Sequence, residues 1–323
     1  MAAQTTNETW DAAWVTTARA ERKGITDNIF DAYPLLSYMR KSGVIEVESG
    51  GKEFQENLMY GKNSAEWFEG YDVLNTDAVD GITAAFFNVR YVSVPITISF
   101  TEEQENRKAS AAGKLISAKN KQSMLTIRDT VNAQAFGAQS GKSMLGLQDI
   151  VAAVTTSGTL GGINRANESW WRNQTNASGG NFNANPTAIP TGFAAMSALY
   201  NNCSEGNDEP DRIFTTLTLF GEWEDIIEGA GYSRYVGGAG SATVDASRPK
   251  FRNAVADYDR DCATGKMYFL NSKYIKFKVL RGVNFAKTPF RSPANQLARV
   301  AFVVLGCNFV TNNPRRLGQI DFT

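Results

Sequence analysis

Two adjoining elements constrain this chain most, because one compact domain cannot hide either of them. Strand-like stretches between Val44 and Phe100 flank a charged loop, and they run directly into a helix-periodic stretch from Thr101 to about Ala138. The first part reads as a two-stranded ribbon with its tip near Gly61–Gly81. Val92, Val94, Ile96, Ile98 and Phe100 share one face and Phe87, Val89 and Tyr91 the other, the period-two signature of a strand. Apolar residues on both faces predict cover on both sides, and Pro95 predicts an edge strand or a bulge. Gly50 and Gly51 mark a further turn or bulge.

The helical stretch carries Ala109, Ala112, Ile116, Met124, Ile127, Val131 and Ala135 at three-to-four spacing, so one face is apolar. Thr101 and Gln104 fit a capping box, and Glu102, Glu103 and Glu105 favour the positive end of the helix dipole. Unbroken, such a helix is roughly 55 Å long, against about 30 Å for a small domain. Ribbon and helix are therefore expected to protrude and to find their partners in other copies of the chain.

Absences exclude most chemistry. The 323 residues contain no histidine, which removes Ser-His-Asp and Cys-His machinery, HExxH zinc sites and two-histidine iron sites. Cys203, Cys262 and Cys307 are odd in number and widely spaced, which suits a reducing compartment and buried apolar roles. No apolar run reaches membrane-span length, and Met1–Trp14 lacks a signal core, so neither a membrane protein nor a secreted precursor is expected.

Lysine plus arginine and aspartate plus glutamate balance at 33 each, so nothing overall marks a nucleic-acid-binding protein. The balance is uneven along the chain. Glu205–Glu228 holds eight acidic residues and only Arg212 against them, whereas Lys266–Thr323 holds ten basic residues and only Asp321. These are either two solvated surfaces or complementary patches meeting between subunits.

Three motifs imitate active sites. Gly137, Gly141, Lys142 and Ser143 resemble a phosphate loop, but three residues separate the glycines where four are needed, and the run follows a helix. A glycine-rich helix stop explains it. Asp257, Asp259 and Asp261 imitate a calcium loop whose sixth and twelfth positions are filled by Cys262 and Tyr268. An EF-hand is thereby excluded, though weak adventitious cation binding is not. Trp170 and Trp171 are suited to stacking on a sugar or base, but without a charged companion cluster they read as packing residues. Neither a metal site nor a cofactor site is expected.

Elsewhere the segments are short. Residues 1–26 read as an extended arm carrying Trp10 and Trp14, followed by a helix or turn around Pro34. Leu145–Val154 reads as a helix, Thr155–Gly192 as a long ordered surface loop, and Phe193–Cys203 as a helix. Ile213–Leu219 reads as a strand and Phe220–Gly229 as a helix, followed by a glycine-rich loop. Met267–Leu270 and Tyr274–Leu280 read as a hairpin, Ala298–Val310 as an apolar strand, and Arg315–Phe322 as a last extended piece.

That order of elements, from arm through ribbon, spine helix and α/β domain to a returning strand, resembles the tailed-bacteriophage major capsid proteins. It is the α+β Hong Kong ninety-seven-type fold, shared with encapsulins, and Leu145–Gln174 looks like a stretch by which several phage capsid proteins are recognised. The resemblance implies five parts: an N-terminal arm and short helix (1–43), an extended β-ribbon loop (44–100), a spine helix of a peripheral domain (101–138), an axial domain (139–282), and return strands of the peripheral domain (283–323). It implies hexamers and pentamers closing into an icosahedral head shell around double-stranded DNA, assembled in the host cytoplasm and resident in the virion. A portal, a scaffolding protein, a maturation protease and a decoration protein are the implied partners, with no membrane. The chain lacks the built-in N-terminal scaffold segment of some relatives, so a separate scaffold or a processed form is expected. Trp10, Trp14, Lys62, Glu66, Trp67, Glu69, Trp170 and Trp171 are the candidate inter-subunit contacts. Lys62 sits where some relatives cross-link, without an identifiable mate. An encapsulin compartment is the alternative, and an α/β ligand-binding enzyme a more distant one.

Overall fold

The computed structural model describes residues 33–105, 109–177, 191–229 and 250–322. Trp10, Trp14, the expected arm and the glycine-rich loop after Gly229 lie outside them. The first element is the helix Pro34–Lys41, which Pro34 begins and does not interrupt, because its missing N–H is unneeded in a first helical turn. Gly43, at φ +68°, ends that turn and sends the chain into β1 (Ile45–Glu48).

The ribbon is shorter than the sequence suggests. Only β2 (Glu53–Met59) and β3 (Ile82–Asn88) pair with one another, from Glu53 opposite Asn88 to Met59 opposite Ile82. β4 (Arg90–Ser99) departs at Val89 and joins a separate sheet. Its one face carries half-buried Val92 and Val94 and buried Ile96 and Ile98; its other face, from Tyr91 to Thr97, is exposed, so the expected cover on both sides of this strand is corrected. Pro95 sits on the sheet's edge strand in unbroken register opposite Phe302, so the edge alternative holds and no bulge is needed.

The long helix follows as Phe100–Glu105 and Ala109–Phe136. Its cap lies two residues before the expected one. The Ser99 hydroxyl accepts from the Glu102 N–H at 3.2 Å, and the Glu102 carboxylate accepts from the Ser99 N–H at 3.0 Å. Ala112, Ile116, Met124, Ile127, Val131 and Ala135 are all buried, as their spacing predicts. They are buried in their own subunit, against β4 and β14, so the apolar face of the helix needs no neighbouring copy.

After a short helix (Leu147–Ile150), β5 (Thr159–Leu160), β6 (Ile163–Asn164), a 3-10 turn (Ser169–Trp171) and β7 (Gln174–Asn176) give the expected surface loop a structure of its own. The helix Thr191–Cys203, β8 (Arg212–Thr215), the helix Leu217–Gly229, β9 (Lys250–Phe251), β10 (Ala254–Tyr258), β11 (Lys266–Leu270), β12 (Ile275–Leu280), β13 (Ala286–Lys287), β14 (Ala298–Thr311) and β15 (Gly318–Asp321) complete the order.

The strands form two main sheets. One runs β1-β12-β14-β13 with β4 on the far side of β14, and the other runs β7-β15-β11-β8-β10-β9. β11 and β12 are thus not a hairpin: β12 lies between β1 and β14, whereas β11 lies between β15 and β8. The expected boundaries shift accordingly. β12, assigned by sequence to the 139–282 unit, belongs with the long helix, and β15, assigned to the returning strands, belongs to the other sheet. Each sheet has a core, the first built on Phe54, Phe136, Phe277 and Phe309, the second on Trp223, Tyr200 and Phe269.

Candidate functional site

The ribbon stem is anchored by its alternation. Phe54, Glu56, Leu58, Ala85 and Phe87 face inward and are buried, whereas Met59, Ile82 and Phe86 face outward. The inner face rests on the turn between β5 and β6. The Phe86 N–H donates to the Gly161 carbonyl at 3.0 Å, and a Cβ on Gly161 would lie 2.9 Å from both Ala85 and Phe87, so only glycine admits this approach. Trp171 is fully buried beneath the turn and donates from Nε1 to the Leu160 carbonyl at 2.9 Å. Trp170 stacks on Tyr60 with centroids 5.0 Å apart and planes at 13°. Both tryptophans are packing residues, and Trp171 is thereby removed from the expected inter-subunit contacts. Trp170 braces the ribbon within its own subunit.

At the root, β12 presents Lys276 and Lys278 to carboxylates from the two neighbouring strands. Lys278, 3% exposed, contacts Glu56 at 2.5 Å and Glu48 more closely still. Lys276 contacts Glu46 at 3.1 Å and Glu56 at 3.5 Å. Burial alone would lower the Lys278 pKa, but hydrogen bonds to Glu48 and Glu56 outweigh it and hold the ammonium above its ordinary value.

Beyond Tyr60 the stem closes. The Tyr60 and Gly61 amides both donate to the Gly81 carbonyl, at 2.8 and 3.3 Å, and a Cβ on Gly61 would stand 2.8 Å from the Gly81 Cα. The tip outside this pinch is braced by its own acids: Glu66 accepts from the Asn75 N–H at 2.7 Å and Asp72 from the Glu69 N–H at 2.9 Å. Trp67, Tyr71 and Val73 are essentially fully exposed, at 103%, 105% and 96%, and Phe68 and Leu74 are largely so. Lys62, Glu66 and Glu69 share this exposed tip with Trp67. The tip is therefore aromatic as well as charged. Sequence reasoning counted its charges and passed over Phe68, Tyr71 and Val73, although their lack of strand or helix periodicity signalled that no local face would bury them.

The imitation sites are closed from within. The Asp149 carboxylate accepts from the Gln139 N–H at 2.7 Å and the Gly146 N–H at 3.0 Å, placing an anion where a phosphate would be needed, while Lys142 points to solvent. Asn132 Nδ2 donates to Asp259 at 3.0 Å and Asp261 at 2.7 Å, occupying the space between those carboxylates, and Asp257 pairs with Arg212 at 2.8 Å. Burial pushes the Asp259 carboxyl above the usual range despite these bonds. All three cysteines are buried, and burial pushes each thiol up to about 12, far from a neutral-pH nucleophile. Among the described residues no group of three or more Cys, Asp or Glu side chains is arranged to hold a metal ion, and no helix is long and apolar enough to cross a membrane.

The uneven charge segments also meet inside the chain. Lys273 pairs with Asp208, which accepts from the Tyr274 hydroxyl at 2.6 Å, and Arg316 pairs with Glu205. The expectation that these patches join subunits is corrected for those residues, because the fold brings β11–β12 and β15 beside the acidic segment.

No protein-family model matches the chain, and no curated protein sequence matches it. Solved structures do. A protein of the cyanophage A-1(L) capsid asymmetric unit superimposes with a TM-score of 0.61 at 14% identity, covering 85% of this chain and 89% of that one. The structure of Mycobacterium phage Bobi gives 0.54 at 11% identity over 86% and 88%. The holo-SrpI encapsulin complex of Synechococcus elongatus gives 0.53 at 9% identity over 86% and 84%. The chain has the mixed helix-and-sheet fold common to these shells.

Proposed function

We propose that this chain is a major capsid protein, a structural and non-enzymatic subunit that assembles with copies of itself into an icosahedral head shell enclosing double-stranded DNA. The observation that carries this reading is the ribbon tip. A monomer gains nothing from holding Trp67, Phe68, Tyr71 and Val73 in water at the end of a pinched ribbon, and clustered exposed apolar residues mark an interaction surface. The shared fold with shell proteins supplies the kind of partner, a second copy of the chain, and repeated identical contacts close into symmetric assemblies. Residence in the virion, assembly in the host cytoplasm, and service by a portal, scaffold, protease or decoration protein belong to the same proposal.

Replacing Lys62–Asp80 with a short Gly-Ser linker tests the reading. The two cores do not include these residues, so the variant is expected to melt as the parent does yet form no shells in negative-stain micrographs. Normal particles from this deletion would overturn it. The likeness to the SrpI complex supports a second reading, an encapsulin-type compartment. Nucleic-acid content separates the two: particles purified from the native source carry genome-length double-stranded DNA in the first case and a protein cargo in the second.

A further inference from the structure

We infer that the ribbon tip of one copy docks on the basic, apolar-rimmed end of the five-stranded sheet of a second copy. This rests on the shell-subunit reading and names the surface that receives the tip. Between Gly61 and Gly81 the chain carries Lys62 against five carboxylates, Glu66, Glu69, Asp72, Asp77 and Asp80. Among the described residues no lysine or arginine is paired with any of the five. Between Arg281 and Arg299 the pattern inverts: Arg281, Lys287, Arg291 and Arg299 have no carboxylate among them. Arg299 is committed to Glu103 at 3.0 Å, which leaves three cations on this stretch, with Arg281 and Arg291 exposed.

The same stretch is an apolar surface as well as a basic one. Leu297 is 81% exposed, and its carbonyl accepts from the Phe100 N–H at 3.0 Å, which sets the half-exposed Phe100 ring beside it. Arg291 and Val300 exchange backbone hydrogen bonds at 2.9 and 2.8 Å, and the Thr288 N–H donates to the Phe302 carbonyl at 2.9 Å. Arg291, Leu297, Phe100 and Phe302 therefore crowd one end of the sheet. An acidic tip bearing aromatics and a basic socket bearing aromatics match in charge and in apolar content. Aromatic and arginine side chains are the groups that dominate such contacts, and opposite charge fixes their register.

The arrangement favours a contact between copies. The ribbon leaves the sheet at Arg90, whereas the socket lies at the Ser99 end of β4, a strand length of about 30 Å away. Tip and socket are different surfaces of one chain, so the contact is head-to-tail, the kind that generates rings.

Charge reversal tests this. One variant combines Glu69→Lys, Asp77→Lys and Asp80→Lys, and a second combines Arg281→Glu and Arg291→Glu. All five side chains are exposed, so both variants are expected to keep the parent melting temperature. Each alone is expected to give at least about tenfold fewer particles, since like charges then face each other. An equimolar mixture is expected to recover them, because each tip then finds an opposite socket on the other chain. If wild-type chains form no particles, the shell-subunit reading itself falls. If wild-type chains assemble and the mixture does not recover, that reading stands and the proposed socket is overturned. Rescue only when both sets of reversals sit in one chain would place the contact within a single copy, and would also overturn it.

Discussion

Lys278 reaches from β12 to Glu56 on β2, with the ammonium nitrogen 2.5 Å from the carboxylate, and so joins the ribbon to the sheet that carries it. Both residues are buried, at 3% and 8% exposure, and Glu48 from β1 closes the group. Three strands that are distant in sequence are thereby held at the root of the assembly arm.

Removing the ammonium leaves Glu56 charged, buried and short of its best partner. Lys278→Met is expected to lower stability by about 2–3 kcal/mol, less than the usual cost of breaking a fully buried pair because Glu46 and Glu48 reach water and Lys276 remains. Urea denaturation monitored by tryptophan fluorescence measures it, and a change under 1 kcal/mol would show the cluster to be incidental.

The same group sets an alkaline limit. A lysine whose folded pKa is raised contributes stability that is full below its unfolded value, about 10.4, and that is lost as pH rises through the folded value. The cluster is therefore expected to be constant from pH 6 to about 9 and to weaken above about 10.5. Other lysines and tyrosines titrate in that range, so the informative quantity is a difference. The stability gap between wild type and Lys278→Met should shrink from pH 8 to pH 11, and an unchanged gap would contradict the assignment.

The ribbon pinch admits no side chain. Gly81→Ala places a Cβ 2.8 Å from the Gly61 carbonyl oxygen, which is backbone and cannot rotate away. The expected result is a splayed tip and a loss of about 1–2 kcal/mol, as for other overpacked sites. Limited proteolysis should cut between Lys62 and Asp80 faster in the variant, with the two cores left intact.

The helix cap distinguishes two otherwise similar hydroxyls. Ser99→Ala removes the acceptor of the Glu102 N–H and is expected to cost about 1 kcal/mol. Thr101→Ala loses only a hydroxyl contact with Ser99 at 3.0 Å and is expected to change stability by less than half of that. Equal losses in thermal melts would mean that the helix begins where the sequence motif suggests.

Local periodicity made much of this molecule legible in one dimension. The seven apolar positions of the long helix are spaced by the helical repeat, and the six of them whose side chains the structure describes are buried. The alternation of β2 and the β-branched run of β14 likewise report faces that the backbone itself generates. The failed spacing of the phosphate-like loop was readable for the same reason, since a backbone turn needs a fixed number of residues. Partner choice was not readable. Nothing in Lys266–Leu270 or Ile275–Leu280 says that the chain crosses between two sheets at Asn271, because strand pairing is decided by which distant edges remain open. Trp171 and Trp67 are the same residue type in similarly polar stretches, yet one lies under the β5–β6 turn and the other stands in water. The sequence by itself determined the elements, their faces and the absence of histidine chemistry. Only the tertiary structure decided which apolar and charged groups the subunit satisfies internally, and so which remain at the ribbon tip for another copy, because burial is a property of the packed whole and not of any stretch of chain.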